Sequence, residues 1–358
     1  MSSSKNYLKT TFSALCLVGA GLICSSAQAG WTIWTNASGD GLWETAGNWS
    51  GGLPNYASQA PIINNLTTTG PSTANTGTYS YDYLRVGHAH DGHEGPGTLN
   101  INGANLSSKD GGNTREGIGY GNGGVGILNI SSGSLTLGQQ WVSIGGGGGS
   151  QGTVNQTGGL MSFGGDNPNS ISLGSSNSTA LYNFTAGDLL TKEAFALSTG
   201  GSGSSIFQVN GYDAESSIQI GGTSDDYNGA WLQGAGTTLS LGIDGGTSQG
   251  TTLINIGTGT NGTHSGQAEF ASGSFLDLGF NSGAQSGSWT VLTAAGGIVD
   301  SGLSLAPSVD ESVWSFSVVD GIGGSQSLVV TAIPEPSSIA LMVIIGGAML
   351  MTRRRRKA

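Results

Sequence analysis

Five stretches of the chain between residues 95 and 215 share one pattern of apolar and polar positions. In each stretch an amide side chain stands between two mostly apolar neighbours, and successive amides are 25 to 29 residues apart. Because side chains alternate across a β-strand, neighbours such as Leu99 and Ile101 are predicted to face a core, with the amides facing outward. The five amides are Asn100, Asn129, Asn155, Asn183 and Gln208.

A second short pattern, in which mostly apolar positions precede a small residue, falls between these stretches. One strand of this kind cannot bury its apolar face alone, whereas stacked turns can. With about three short strands per repeat and glycine or polar corners, residues 81–222 are predicted to form a β-solenoid. The expected fold is all-β, a right-handed β-helix of three-strand coils. The pattern reads "LRVG" (84–87), "EGIG" (116–119), "VSIG" (142–145), "ISLG" (171–174), "FALS" (195–198) and "IQIG" (218–221).

The amide column has two interpretations. Stacked turns repeat about every 4.8 Å, so each outward amide can bond to the amide of the next turn and form a structural ladder. Alternatively, the column is a flat polar surface for a sugar polymer. We expect the ladder.

A solenoid needs protected ends, because open strand edges invite association. Residues 30–80 are predicted to be an N-terminal cap, since four of the eight tryptophans fall within 19 residues of it. They form either the cap core or a platform for stacking sugars. Residues 223–332 are predicted to be degenerate coils or a small β-sandwich cap. The four tryptophans are Trp31, Trp34, Trp43 and Trp49.

Residues 1–29 have the three parts of a signal peptide in order. Lys5 and Lys9 give the positive region, an apolar run follows, and Ala27 and Ala29 form a small-x-small cleavage site before Gly30. Both cysteines of the chain lie in this segment. The mature protein is therefore expected to be exported and to fold without disulfides.

The extreme C-terminus, residues 333–358, also has three parts. Pro334, Glu335 and Pro336 precede a mostly apolar run over 338–352, which would make about 22 Å of helix against a hydrocarbon core of about 30 Å. A basic cluster then follows and would stay on the cytoplasmic side. The cluster consists of Arg353, Arg354, Arg355, Arg356 and Lys357.

This order resembles the PEP-CTERM sorting signal of Gram-negative bacteria. The resemblance implies transient insertion in the inner membrane and recognition by an exosortase-like enzyme. Release or transfer to the cell surface would follow, often in bacteria that make exopolysaccharide. The alternative is a permanent tail anchor. The repeats over 81–330 resemble autotransporter-passenger β-solenoids, which implies an adhesin-like role.

The net charge of the chain limits the classes of partner that it can bind. Residues 30–333 contain four basic and 21 acidic side chains, a net charge of −17. Such a body is expected to repel nucleic acid and anionic polymers. Calcium is a possible ligand of the acidic loops at 110–113, 164–169 and 224–229, although plain turns use the same residues. No other cofactor is expected.

One histidine-rich stretch has the residue types of a zinc or copper site. His88, His90, Asp91 and His93 lie within six residues. An ordinary surface loop is the alternative.

A catalytic role is the less favoured hypothesis. A β-helix lyase needs basic residues near its anionic substrate, and only Arg85, Lys109, Arg115 and Lys192 are basic between residues 30 and 333. A glycoside hydrolase needs a carboxylate pair, which sequence alone does not reveal. The chain is expected to be a non-enzymatic surface or matrix protein that associates with exopolysaccharide or surface proteins. The alternative is a polysaccharide-degrading enzyme on the same scaffold.

Overall fold

The computed structural model describes most of the chain between residues 30 and 333. The predicted signal peptide and the predicted sorting tail both lie outside the described residues. The described ranges are 30–55, 59–64, 69–90, 93–109, 114–138, 141–164, 170–175, 177–198, 203–210, 216–222, 228–244, 253–261, 264–282 and 286–333.

The described residues form 26 strands and two short 3-10 helices. The strands of the N-terminal half are β1 Gly30–Ile33, β2 Gln59–Ile63, β3 Ser72–Ala74, β4 Thr78–Tyr81, β5 Arg85–His90, β6 His93–Glu94, β7 Gly97–Ser108, β8 Arg115–Gly121, β9 Val125–Leu137, β10 Trp141–Gly146, β11 Gln151–Phe163, β12 Ser170–Ser175 and β13 Thr179–Thr191. The remaining strands are β14 Ala194–Leu197, β15 Ser204–Asn210, β16 Ser217–Ile220, β17 Ala230–Gln233, β18 Thr238–Asp244, β19 Ile254–Ile256, β20 Gln267–Phe270, β21 Phe275–Ser282, β22 Gly287–Ala294, β23 Ile298–Asp300, β24 Ser304–Leu305, β25 Trp314–Asp320 and β26 Gln326–Ala332. The 3-10 helices are Ala46–Asn48 and Ile322–Gly324.

Two sheets run along the molecule. The first sheet has 11 strands, in the order β1-β2-β5-β8-β10-β12-β14-β17-β20-β23 with β6 paired to β5, and the second has 15. Successive turns pair in parallel, as in β9 with β11 and β11 with β13. The predicted all-β solenoid is therefore confirmed.

Each central turn consists of one short strand in the first sheet and one long strand in the second. The long strand of β11 is interrupted by register shifts between Gln156 and Leu160, so it acts as two shorter segments. In the later turns these two segments are separate strands, as in β15 and β16, which both pair with β13. Each turn therefore contains three strand segments, one in the first sheet and two in the second.

The apolar neighbours of the amide column form the core. Leu99, Leu128, Tyr182 and Phe207 are fully buried, as the alternation predicted. Gln156 is the one polar residue among these neighbours of the amide column, and it is also fully buried. Its amide is satisfied, because Oε1 accepts from the Tyr182 hydroxyl at 2.7 Å and Nε2 donates to the Asp188 carbonyl at 2.8 Å.

The small residue of the second pattern makes a corner in the first sheet. Gly119 has φ +65°, and a Cβ there would lie 1.8 Å from the carbonyl oxygen of Gln151. Glycine is required because it alone tolerates both the left-handed backbone and this close approach. Ser198 occupies the same corner of a later turn with φ 40°, and its hydroxyl donates to the Gly203 carbonyl at 3.0 Å.

The sixth copy of the second pattern was predicted to be equivalent to the other five, which lie in the first sheet, and this prediction is wrong. The "IQIG" segment lies in the second sheet, where Ile218 pairs with Leu189, and the next strand of the first sheet is β17. The interpretation failed because the chain between β15 and β16 is longer than the bend inside β13. Ile218 therefore takes the position after Leu189 in the next turn.

The two ends differ in construction. At the N-terminus Trp34, Trp43 and Trp49 are buried together, with the rings of Trp43 and Trp49 4.7 Å apart in an edge-to-face arrangement. Buried faces cannot stack on a sugar, so these three rings belong to the hydrophobic core. At the C-terminus β22 pairs with β26 in antiparallel fashion, and β26 pairs with β25 in the same way.

Candidate functional site

The outer face of the second sheet carries the amide column. Asn129 Nδ2 donates to Asn100 Oδ1 at 2.8 Å, and Asn155 Nδ2 donates to Asn129 Oδ1 at 2.8 Å. Asn183 Nδ2 continues the series to Asn155 Oδ1 at 2.7 Å. Gln208 does not join it, since its amide donates to Asn210 at 3.0 Å. The asparagine ladder therefore consists of four residues on adjacent turns.

The outer face of the first sheet carries a second assembly at its N-terminal turns, which we call the arginine–aromatic patch. It extends over adjacent strands from β1 to β10. Its members are Trp31, Tyr83, Arg85, His88, Arg115, Tyr120 and Trp141.

Arg85 lies at the centre of this patch. Its guanidinium carbon is 5.0 Å from the ring centroid of Tyr83, 5.7 Å from that of Tyr120 and 6.0 Å from that of Trp31. These distances are in the cation–π range. The indole of Trp31 also donates to the Tyr83 hydroxyl, which ties the first strand to the patch.

His88 fixes the orientation of the Arg85 head. Arg85 Nη1 lies 2.8 Å from His88 Nε2, so the imidazole accepts from the guanidinium. The ring of His88 is buried and stacks on Tyr120 at 5.7 Å with an interplanar angle of 11°. Hydrogen bonding and stacking together restrict the arginine to one place on the surface.

Arg115 lies on the adjacent turn and is exposed to solvent. Its guanidinium carbon is 5.4 Å from the Trp141 ring, and Nη1 donates to the Tyr120 hydroxyl at 3.3 Å. Trp141 is 42% exposed, which is unusual for a tryptophan. Among the described residues, neither Arg85 nor Arg115 has a carboxylate partner.

Small residues in the sheet make room for the central ring. A Cβ on Gly117 would lie 2.5 Å from the Cβ of Tyr120, and one on Gly146 would lie 2.9 Å from Tyr120 Cδ2. The ring of Tyr120 therefore lies across two glycines, close to the backbone. The glycines of the first sheet thus let aromatic side chains lie flat on its outer face.

Sequence reasoning identified the basic residues near the first turns but not the arginine–aromatic patch. The four tryptophan and tyrosine rings are 21 to 110 residues from one another along the chain, from Trp31 to Trp141. The register of the strands is the property that would have revealed the patch, because Trp141 pairs with Arg115 and Arg85 pairs with Gly117. The correct register of four turns was needed to read it.

The histidine-rich stretch is divided. His88 belongs to the arginine–aromatic patch, and the neighbouring guanidinium places a positive charge where a metal ion would have to bind. His90 and His93 are register partners in the β5–β6 hairpin, but their side chains and all of Asp91 lie outside the described residues. Within the described part of the chain, no group of three potential metal ligands occurs. The acidic loops proposed for calcium also lie mostly outside it.

A cleft of about 320 Å³ opens at the C-terminal turns of the first sheet, where Leu232 and Val299 contribute apolar walls. Glu269 is the single carboxylate among its described lining residues. The cleft therefore lacks, among these residues, the carboxylate pair that glycoside hydrolysis needs.

No protein-family model, no curated protein and no solved structure matches this chain. In the part of the chain that the structure describes, none of the helices has the length and apolar character to cross a membrane.

Proposed function

We propose that the protein is an exported structural or adhesin-like component of the bacterial surface or extracellular matrix, associated with exopolysaccharide. The observation that carries the proposal is the asparagine ladder. It ties adjacent turns of a parallel solenoid through their outward side chains, which suits a passive, elongated scaffold. Catalytic groups are not part of this role.

Location is the second element of the proposal. It rests on the signal peptide at 1–29 and on the tail at 333–358, whose PEP motif, apolar run and arginine cluster resemble the PEP-CTERM signal. In this account the precursor is held in the inner membrane by its C-terminal helix until an exosortase-like enzyme processes it.

We also propose that the coils of the solenoid are right-handed, because crossovers between parallel strands generally are.

The partners follow from the surface. A net charge of −17 over residues 30–333 favours polysaccharide or other surface proteins over nucleic acid. Divalent cations such as Ca²⁺ are compatible with the same charge, and no other cofactor belongs to this account.

The location is tested by the intact mass of the protein recovered from the producing cells and their medium. We expect a chain that starts at Gly30 and ends close to Pro334. A chain that retains Arg353 to Lys357 would mean a permanent anchor and would overturn the surface proposal.

The passive role is tested by incubating the recovered protein with isolated exopolysaccharide. We expect the protein to sediment with the polymer while the concentration of reducing ends stays constant. A steady rise in reducing ends would favour the alternative, a polysaccharide-degrading enzyme, and would direct attention to the Glu269 cleft.

A further inference from the structure

We infer that the arginine–aromatic patch is a binding site for a carboxylate-bearing saccharide chain, such as a polymer of uronic acids. The inference rests on the proposed function only for where the protein meets such a polymer. The site itself is argued from the contacts of its residues.

The first argument is charge placement. The body carries four basic residues against 21 acidic ones, yet two of the four lie on adjacent turns of one face. Arg85 Nε donates a hydrogen bond to the Arg115 carbonyl oxygen at 3.5 Å, so the two residues are neighbours. Arg85 pairs with Gly117, which makes Arg85 and Arg115 diagonal neighbours on adjacent strands, and like charges at such positions repel each other. An external anion would relieve this repulsion.

The second argument is the chemistry of the donors. The guanidinium group presents N–H donors in a planar fork that matches a carboxylate. His88 and three rings restrict the Arg85 head, so little side-chain entropy remains to be lost when a ligand binds. Arg115 is exposed and reaches solvent above Trp141. The pair therefore combines one fixed donor with one accessible donor.

The third argument is shape. Trp31 and Trp141 stand at opposite ends of the patch, and four strand steps of the first sheet separate them. At about 4.8 Å per step the patch is roughly 19 Å long. Trp141 leaves 42% of its surface exposed. An elongated strip with an exposed indole at one end and a partly buried one at the other fits a chain of sugar rings, whose apolar faces stack on aromatic side chains, better than it fits a single small ion.

Other polyanions fit less well. Nucleic-acid binding draws its affinity from many phosphate contacts, typically about six to ten, and this patch offers two cations on an acidic body. An acidic peptide bound to a sheet usually draws affinity from main-chain hydrogen bonds along a strand edge. The arginine–aromatic patch lies on a sheet face instead. A saccharide with widely spaced carboxylates matches two cations among aromatic rings.

The test uses the full protein as recovered from the producing cells, with polygalacturonate as the probe and its fully methyl-esterified form as the matched neutral polymer. We expect binding to polygalacturonate that weakens with added salt, and at least tenfold weaker binding to the ester. Equal affinity for the two polymers, or no binding to polygalacturonate, would overturn the inference. Tighter binding to single-stranded DNA or to polyglutamate would replace the saccharide with that class of ligand.

Three variants locate the site. Arg115→Gln and Trp141→Ala change exposed side chains and are each expected to weaken polygalacturonate binding about tenfold, with thermal unfolding unchanged. Lys192→Gln removes the same charge from a distant turn and is expected to change affinity less than twofold. If Lys192→Gln weakens binding as much as Arg115→Gln, the attraction is general electrostatics and the site is wrong. Because the mass measurement is independent of affinity, failure here leaves the proposed surface location standing.

Discussion

The side-chain amide of Asn155 donates to the side-chain oxygen of Asn129 at 2.8 Å, and the two residues are register partners on adjacent turns. Asn155 also accepts from Asn183 at 2.7 Å. One side chain thus links three turns of the second sheet. A hydrogen bond of this kind couples the turn spacing to side chains, in addition to the backbone bonds between parallel strands.

Asn155→Ala is expected to destabilise the protein by about 1–3 kcal/mol, because it leaves partly buried polar atoms of Asn129 and Asn183 without partners. The measurement is the free energy of unfolding in urea. Gln208→Ala is the matched control, since Gln208 occupies the same column but bonds only within its own strand. Equal losses for the two variants would show that the asparagine ladder adds nothing beyond the column position.

This ladder shows how far the sequence could lead. Strand alternation and the repeat spacing sufficed to predict which face Leu99 and Asn100 occupy, because both depend only on local backbone geometry. Gln208 was assigned to the same ladder, and the structure shows that it bonds to Asn210 instead. A glutamine is one methylene longer than an asparagine, so it does not reproduce the geometry by which asparagines stack.

Gly119→Ala is expected to destabilise the protein by about 3 kcal/mol or to prevent folding, because backbone strain and a steric clash add to each other. The new Cβ would lie 1.8 Å from the backbone oxygen of Gln151 in a left-handed conformation, and the next nearest atoms, Gln151 C and Gly152 N, are also backbone atoms, which restricts relaxation. Yield of soluble protein and the midpoint of thermal unfolding measure the effect.

Gly123→Ala provides the control for this corner. Gly123 has φ +79°, and nothing lies within 4 Å of its Cβ position. Only the left-handed backbone is penalised there, which costs about 1 kcal/mol. If both variants lose the same stability, the close approach of the turns at Gly119 is unimportant.

The parts that sequence reasoning missed depend on long-range register. The segment around Ile218 has the same text as the first-sheet corners, but its position depends on how many residues the preceding turn contains. The arginine–aromatic patch assembles from Trp31, Arg85 and Trp141, which meet only when four turns are stacked correctly. Short patterns do not encode these distances, because insertions between strands change the alignment without changing the pattern.

Glu44 protects the N-terminal end of the second sheet. Its Oε1 accepts from the backbone N–H groups of Asn75 and Thr76, each at 2.8 Å. Glu44→Ala removes the acceptor and is expected to lower the free energy of unfolding by about 1–3 kcal/mol and to promote self-association, because exposed strand ends pair with other chains. Light scattering and urea unfolding measure the two effects.

Glu44→Gln retains an acceptor oxygen at the same place. It is expected to stay monodisperse and close to the parent protein in stability. If this variant self-associates to the same extent as Glu44→Ala, the charge of Glu44, and not the capping of the N–H groups, prevents this end of the solenoid from pairing with other chains.

Glu193 makes stability depend on pH. Burial raises the pKa of its carboxyl group, which the positive charge of Lys192 partly offsets, and Oε1 has no hydrogen-bond partner among the described residues. The folded state therefore holds this proton to higher pH than the unfolded state does. Above the folded pKa the buried carboxylate destabilises the fold, whereas below the ordinary glutamate pKa of about 4.3 both states are protonated and the penalty disappears.

Glu193→Gln is thus expected to raise the unfolding midpoint at pH 7, with a gain that shrinks towards zero as the pH falls to about 4. The exposed Glu311→Gln is the control and should change little at either pH. A gain for Glu193→Gln that is the same at both pH values would mean that packing, and not ionisation, is responsible.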